Sequence, residues 1–242
     1  MNNLTIGILL TDHVLEDLKT KHGDQDDFYY KIFNEADKSI KLKIYDVTKN
    51  IYPDDINECN GYLITGSKLS VYDDVHWIRE LEEYIRYLNS AEKKLLGVCF
   101  GHQLIAKALG GSVRKATAGW VTGLQSYNIH AFFPWVDSFD EEIKLIHSHQ
   151  DQVTELPEKA TLVASNSKVP IAMYYIDNHI MSVQGHPEFT NEYAYDVVCK
   201  RRDILGEELF KQTEDSLLKE KSSYLEVTRW WISFLKKTTE IL

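Results

Sequence analysis

Cys99 stands between Gly97 and Gly101, behind the apolar run Lys94-Leu95-Leu96-Gly97-Val98 and ahead of Phe100-Gly101-His102-Gln103-Leu104. The run reads as a buried strand and Leu104 to Leu109 as the start of a helix. Small neighbours let the backbone turn sharply between the two, as an exposed nucleophile at a strand-to-helix corner requires. A sulfur at such a corner lies at a helix N-terminus, where free N–H groups and the helix dipole favour negative charge. The N–H of Phe100 is then placed to receive a developing oxyanion. A core cysteine at a strand end is the other reading; glycine on both sides followed by His-Gln favours the nucleophile.

A cysteine nucleophile needs a base, and the base needs a group to orient it. Of the nine histidines, His186 is singled out by Ser182-Val183-Gln184-Gly185-His186-Pro187-Glu188-Phe189, a strand leading through a glycine to His-Pro-Glu. In extended backbone, positions two apart share a face, so Glu188 can approach the imidazole. Gly66 and Ser67 follow the apolar run Gly61 to Thr65 and could supply further N–H groups to the oxyanion; an ordinary loop capped by Asp73 or Asp74 stands beside that reading. The glycine-lysine spacing there does not fit a phosphate-binding loop. His147, His149 and Asp151 have the composition of a metal site but no companion ligands, so they are expected to shape the pocket mouth or hold a loop. Neither a metal nor a cofactor is expected.

The elements that must position these residues alternate. Leu4 to Leu10, Ile40 to Val47, Gly61 to Thr65 and Lys94 to Val98 read as strands. The stretch His13 to Asp27 reads as a loop whose acidic end caps a helix to about Asp37, and Val75 to Leu88 carries a helical stripe. This order implies a mostly parallel, mixed sheet covered by helices on both faces, with sites at the carboxyl ends of its strands. After Gly110-Gly111, Val113 to Phe133 reads as short strands or a hairpin. Further strands are expected at 143–147, 160–164, 171–176 and 180–183, with Asp177-Asn178 turning the last pair. From Tyr193 the chain reads as helical, and Val227, Trp230, Trp231, Phe234 and Leu235 form an aromatic stripe suited to core packing, with a homodimer interface as the alternative.

With 242 residues and 43% hydrophobic content the chain can build one substantial core, and it is read as a single domain over 1–242 with C-terminal helices (206–242) packed on it. A net charge of −10 argues against nucleic-acid or anionic-membrane partners. Lys200, Arg201 and Arg202 are read as a solvated helix face. Three scattered cysteines (Cys59, Cys99, Cys199), with no leader-like or bilayer-spanning run, are expected of a soluble cytoplasmic protein.

Taken together, Gly97-Val-Cys-Phe-Gly-His-Gln103 running on to Leu109-Gly-Gly111, Gln184-Gly-His-Pro-Glu188 and Gly66-Ser67 resemble the motifs of class I (triad-type) glutamine amidotransferases. The likeness extends over nearly the whole chain. Ser70-Val71-Tyr72-Asp73-Asp74 and His149-Gln150-Asp151-Gln152-Val153 bring it nearest to freestanding proteins like the amidotransferase half of GMP synthase. The resemblance implies a flavodoxin-like three-layer sandwich and hydrolysis of a γ-glutamyl amide. Cys99 would attack, His186 would shuttle the proton and Glu188 would orient it. Gly66 or Ser67, with Phe100, would hold the oxyanion, and Gln103 and Ser70 would touch the glutamine part of the substrate. A separate ammonia-accepting synthetase is one implied partner. The alternatives are a γ-glutamyl peptidase with room for a larger leaving group around Trp120, and a catalytically silent binding protein, which retention of all three triad positions disfavours.

Overall fold

The structure is a computed structural model that describes residues 4–117, 119–136 and 142–237. Ala118 in the 113–133 stretch and residues 238–242 of the expected C-terminal helical segment lie outside it. In chain order the strands are β1 (Thr5–Leu10), β2 (Lys41–Asp46), β3 (Gly61–Ile64), β4 (Lys94–Val98), β5 (Ser112–Lys115), β6 (Val121–Ile129), β7 (Ile143–His149), β8 (Asp151–Glu155), β9 (Ala160–Ser165), β10 (Met173–Ile176) and β11 (Ile180–Val183). The helices are α1 (Glu16–His22), α2 (Gln25–Ala36), α3 (His76–Ser90), α4 (Phe100–Ala108), α5 (Asn191–Lys200), α6 (Arg202–Leu205), α7 (Glu207–Lys219) and α8 (Tyr224–Lys236).

One sheet runs β2-β1-β3-β4-β11-β10-β9-β6-β7. Its pairs from β2 to β11 are parallel and those beyond are antiparallel, giving a mixed sheet. Period-two alternation assigns the side chains to two cores. Ile6, Ile8, Leu63, Leu96 and Val98 face the layer of α2 and α8, where Tyr29, Phe33, Trp231 and Phe234 are buried. Leu9, Tyr62, Ile64 and Leu95 face α3 and α4 through Leu81, Ile85, Leu104 and Ile105. The C-terminal aromatic stripe is therefore core: Trp231 lies 6.1 Å from Phe33, ring to ring.

Two segments differ from expectation. Within the supposed loop His13 to Asp27 lies α1, stabilised by burial of Leu18 in a cluster with Phe28 and with Tyr193 and Val197, the last two distant in sequence. Gly23 at φ 85° ends it, and Asp24 then caps α2 in a reciprocal box with Asp27. Farther on, β5 makes no hairpin with β6; it pairs with β8, a strand not foreseen. β6 is one long strand shared between β7 and β9. Its alternation is masked because polar residues are buried too: Thr122 bonds Thr213 of α7 at 2.5 Å, and Gly123 (φ 72°) leaves room for Ser216. No helix among the described residues is long and apolar enough to cross a membrane.

Candidate active site

Three neighbouring parallel strands, β3, β4 and β11, end at one edge and deliver Gly66, Cys99 and His186 just beyond their carboxyl ends. Cys99 is the junction between β4 and α4, with φ 50° and ψ −99°, a left-handed conformation that a β-carbon disfavours. Its neighbours hold it there. Its amide donates to the Val183 carbonyl at 3.0 Å, its carbonyl receives the Gln103 amide at 3.0 Å, and the Gly101 amide donates to Thr65 at 3.2 Å. A β-carbon on Gly101 would lie 2.4 Å from the Ile64 carbonyl oxygen, and one on Gly97 2.9 Å from Gly101, so the corner closes only with glycine at both places. Phe100 opens α4, so no intrahelical carbonyl can receive its N–H.

His186 and Cys99 border the same small cavity against Gly66, and the Cys99 charge acts on the imidazole. Its Nδ1 is 2.7 Å from Oε1 of Glu188, and both side chains are almost wholly buried. The ring stacks on Phe189 with centroids 3.9 Å apart, and the His186 amide donates to Ile146 at 2.8 Å. Burial alone would make the imidazole give up its proton more readily. The charges of Glu188 and Cys99 and their hydrogen bonds outweigh that, holding its pKa well above the usual histidine range. Gly66 packs into the same corner: a β-carbon there would lie 2.9 Å from His186 Cε1 and 3.6 Å from Cys99 Cβ. Its carbonyl accepts from Thr11 Oγ1 at 2.9 Å and Gln25 Nε2 at 3.1 Å. The Gly66–Ser67 peptide is trans, so the Ser67 N–H points the opposite way.

Two cavities meet at Cys99. The larger, about 180 Å³, is bordered by Ser70, Gln103, Trp120, His149 and Asp151. The smaller, about 70 Å³, is bordered by Gln25, Gly66, His186 and Phe189. Ser67, Lys68, Cys99, Ser148 and Arg201 line both.

A family model described as glutamine amidotransferase class-I matches residues 27–200. The chain belongs to that family. It is 32% identical over 206 residues to gamma-glutamyl peptidase 3 of Arabidopsis thaliana, covering 81% of this chain and 80% of that one. It is 33% identical over 152 residues to a glutamine-hydrolyzing GMP synthase component of Sulfolobus acidocaldarius, 62% of this chain and 79% of that one. A glutamine amidotransferase structure from Thermotoga maritima superimposes with a TM-score of 0.75 over 97% of both chains at 18% identity. The fold is the flavodoxin-like sandwich of class I amidotransferases, as expected.

The walls of the larger cavity are tied together through Asp151. Its carboxylate accepts from Ser70 Oγ and, at 2.8 Å, from the Tyr72 hydroxyl; its carbonyl accepts from Gln103 Nε2 at 2.7 Å. Gln103 Nε2 also donates to Gln184 Oε1 at 3.0 Å, which leaves Gln103 Oε1 as an acceptor with no protein partner among the described residues. Ser70 and Gln103, the two residues expected to touch the glutamyl part of the substrate, both border the cavity, but the Ser70 hydroxyl is spent on Asp151. His149 Nδ1 meets the Asp151 carbonyl at 2.9 Å, so this nitrogen carries the proton; His149 Nε2 accepts from His147 Nδ1 at 2.8 Å, and His147 Nε2 accepts from the Tyr127 hydroxyl. Every ring nitrogen is used in a neutral chain, and burial holds both histidines well below their usual pKa. No group of three His, Cys, Asp or Glu among the described residues is arranged to hold a metal.

The sequence reading missed two groups. The Tyr29 hydroxyl is buried beside Glu188 from the opposite helical layer, a proximity that no motif announces. The supposed solvated face 200–202 is divided. Lys200 pairs with Asp17 and Arg202 with Glu207, but the chain leaves α5 at Arg201 and turns that side chain inward. There Arg201 lies over Trp120, 5.0 Å from the ring centre, and donates to Ser148 Oγ at 2.7 Å.

Proposed function

We propose that this chain hydrolyses a γ-glutamyl amide, glutamine in the simplest case, through a thioester on Cys99. The observation that carries the proposal is the corner itself: Cys99 at φ 50° on the start of α4, facing His186, which Glu188 holds from behind. The Cys99 sulfur adds to the amide carbonyl, and the oxygen gathers charge opposite the N–H groups of Phe100 and Ser67. His186 passes a proton to the departing nitrogen as the C–N bond breaks. Water then attacks the thioester, His186 takes its proton, and the C–S bond breaks to release glutamate and return the thiol. Glu188 keeps the imidazole in the tautomer and orientation both halves need. Asp151 and the Gln103 Oε1 offer acceptors suited to the α-ammonium of the glutamyl head.

A released ammonia would serve a separate acceptor enzyme, a reading supported by the likeness to the glutamine-hydrolyzing GMP synthase component of Sulfolobus. The second reading, a γ-glutamyl peptidase, is favoured by Arg201, which lines both cavities beside Cys99, and by the likeness to the Arabidopsis peptidase. Glutamate release from glutamine and from a panel of γ-glutamyl dipeptides, with Cys99→Ala as control, tests both. Cys99-dependent turnover of glutamine alone supports the amidotransferase. Faster turnover of dipeptides supports the peptidase. Turnover that survives in Cys99→Ala sinks the chemistry.

A further inference from the structure

We propose that Arg201 binds a carboxylate on the leaving-group side of the substrate, so that the preferred substrates are γ-glutamyl amino acids or peptides bearing a free carboxylate close to the scissile bond. The inference rests on the thioester chemistry at Cys99 and specifies its leaving group. Arg201 has no carboxylate within ion-pairing distance among the described residues, although the chain carries 37 aspartates and glutamates. Of the other cations on these walls, Lys68 is neutralised by Asp12, and Lys115 borders only the larger cavity. One Arg201 N–H bonds Ser148 and the guanidinium plane rests near Trp120. The remaining donors of its five N–H groups are in hand for a planar two-oxygen anion.

Its position selects the end of the substrate it meets. Asp151, Gln103 and Ser70 border only the larger cavity, which assigns the glutamyl head to that side. His186, which must protonate the departing nitrogen, borders only the smaller one. Arg201 belongs to both, at the junction where the leaving group crosses from Cys99 toward His186. Ammonia has nothing to offer it; the carboxylate of a departing amino acid does.

The test compares γ-glutamylglycine, γ-glutamylglycinamide and glutamine on wild type, Arg201→Gln and Arg201→Lys. Wild type should favour γ-glutamylglycine over its amide. Arg201→Gln should bring that ratio to near one by lowering kcat/KM on the free acid about 10- to 100-fold more than on the amide, the usual scale for losing a charge-assisted hydrogen bond. Arg201→Lys should restore part of the preference, since a point charge remains without the planar fork. A wild type that does not distinguish acid from amide overturns the proposal. So does an equal loss on all three substrates, which would place Arg201 on the glutamyl head or in the scaffold. Calorimetric binding of the two dipeptides to Cys99→Ala, with and without Arg201→Gln, reads the same preference without turnover. If Cys99→Ala still hydrolyses the dipeptides, the thioester chemistry fails, yet an Arg201-dependent preference would still register.

Discussion

Gln25 Nε2 donates to the carbonyl of Gly66 across 3.1 Å, joining the first turn of α2 to the loop that carries the proposed oxyanion donors. Thr11 Oγ1 grips the same oxygen at 2.9 Å. Two donors on one side of a trans peptide fix the direction of the N–H on the other, so Gln25 and Thr11 act as positioning residues for Ser67. Gln25→Leu should lower kcat about tenfold with KM within about twofold, less than the 10²–10³ that follows outright removal of an oxyanion donor. Alkylation of Cys99 by iodoacetamide, which forms no oxyanion, should keep its wild-type rate. A change in KM with kcat intact would show that Gln25 acts on binding instead.

Glu188 offers a sharper test because its geometry survives replacement. Glu188→Gln keeps the volume but lets an amide N–H face His186 Nδ1, favouring the wrong tautomer; in a serine-protease triad the comparable change costs about 10⁴ in kcat. A drop of about 10²–10⁴ in kcat with little change in KM is expected here, measured as glutamate release. Activity within a few-fold of wild type would remove Glu188 from the mechanism.

Gly66 and Gly101 are both crowded, but by different atoms, and should fail differently. A β-carbon on Gly101 meets the Ile64 carbonyl at 2.4 Å, backbone that can move only with the sheet, so Gly101→Ala should destabilise by about 1–3 kcal/mol or more. A β-carbon on Gly66 meets the His186 ring at 2.9 Å, and the ring can swing aside. Gly66→Ala should therefore fold with a denaturant midpoint near wild type and lose at least about tenfold in kcat. The two midpoints and the Gly66→Ala rate decide the comparison.

These residues also mark what the sequence could and could not disclose. The corner at Cys99 and the edge shared by Gly66 and Cys99 were legible because glycine spacing and strand order are local or topological, whereas His186 was legible only through its own motif. Arg201 was misjudged because a run of three cations looks alike whether or not a turn rotates its middle member inward. β8 was hidden because Asp151-Gln152-Val153-Thr154-Glu155 has little apolar content, and its pairing partner β5 lies far back in the chain. Gln25 bonds Gly66, and Tyr29 lies buried near Glu188, placements set by tertiary packing that no spacing within α2 can announce.

The buried neutral histidines give the site a pH limit separate from its chemistry. His102 accepts no charge easily: burial outweighs its bond to the Ile171 carbonyl and lowers its pKa to about 3; burial likewise brings His149 to about 3 and His147 well below its usual value. Unfolded, each would bind a proton near pH 6.5. Below that pH the unfolded state holds protons the folded state refuses, so stability falls as pH drops from about 6.5 toward 3, by up to about 1.4 kcal/mol per pH unit for each histidine. His186 acts in another window: its raised pKa supports the fold below about 6.5 and withdraws that support only as pH rises through the folded value. Acid lability should thus come from these histidines and from His179, whose pKa burial also lowers, and not from His186. Urea midpoints at pH 7, 6 and 5 should fall steeply, and His102→Asn should flatten the acid slope by about one proton even if it lowers the midpoint at pH 7. A slope unchanged in His102→Asn would mean that His102 is not held neutral.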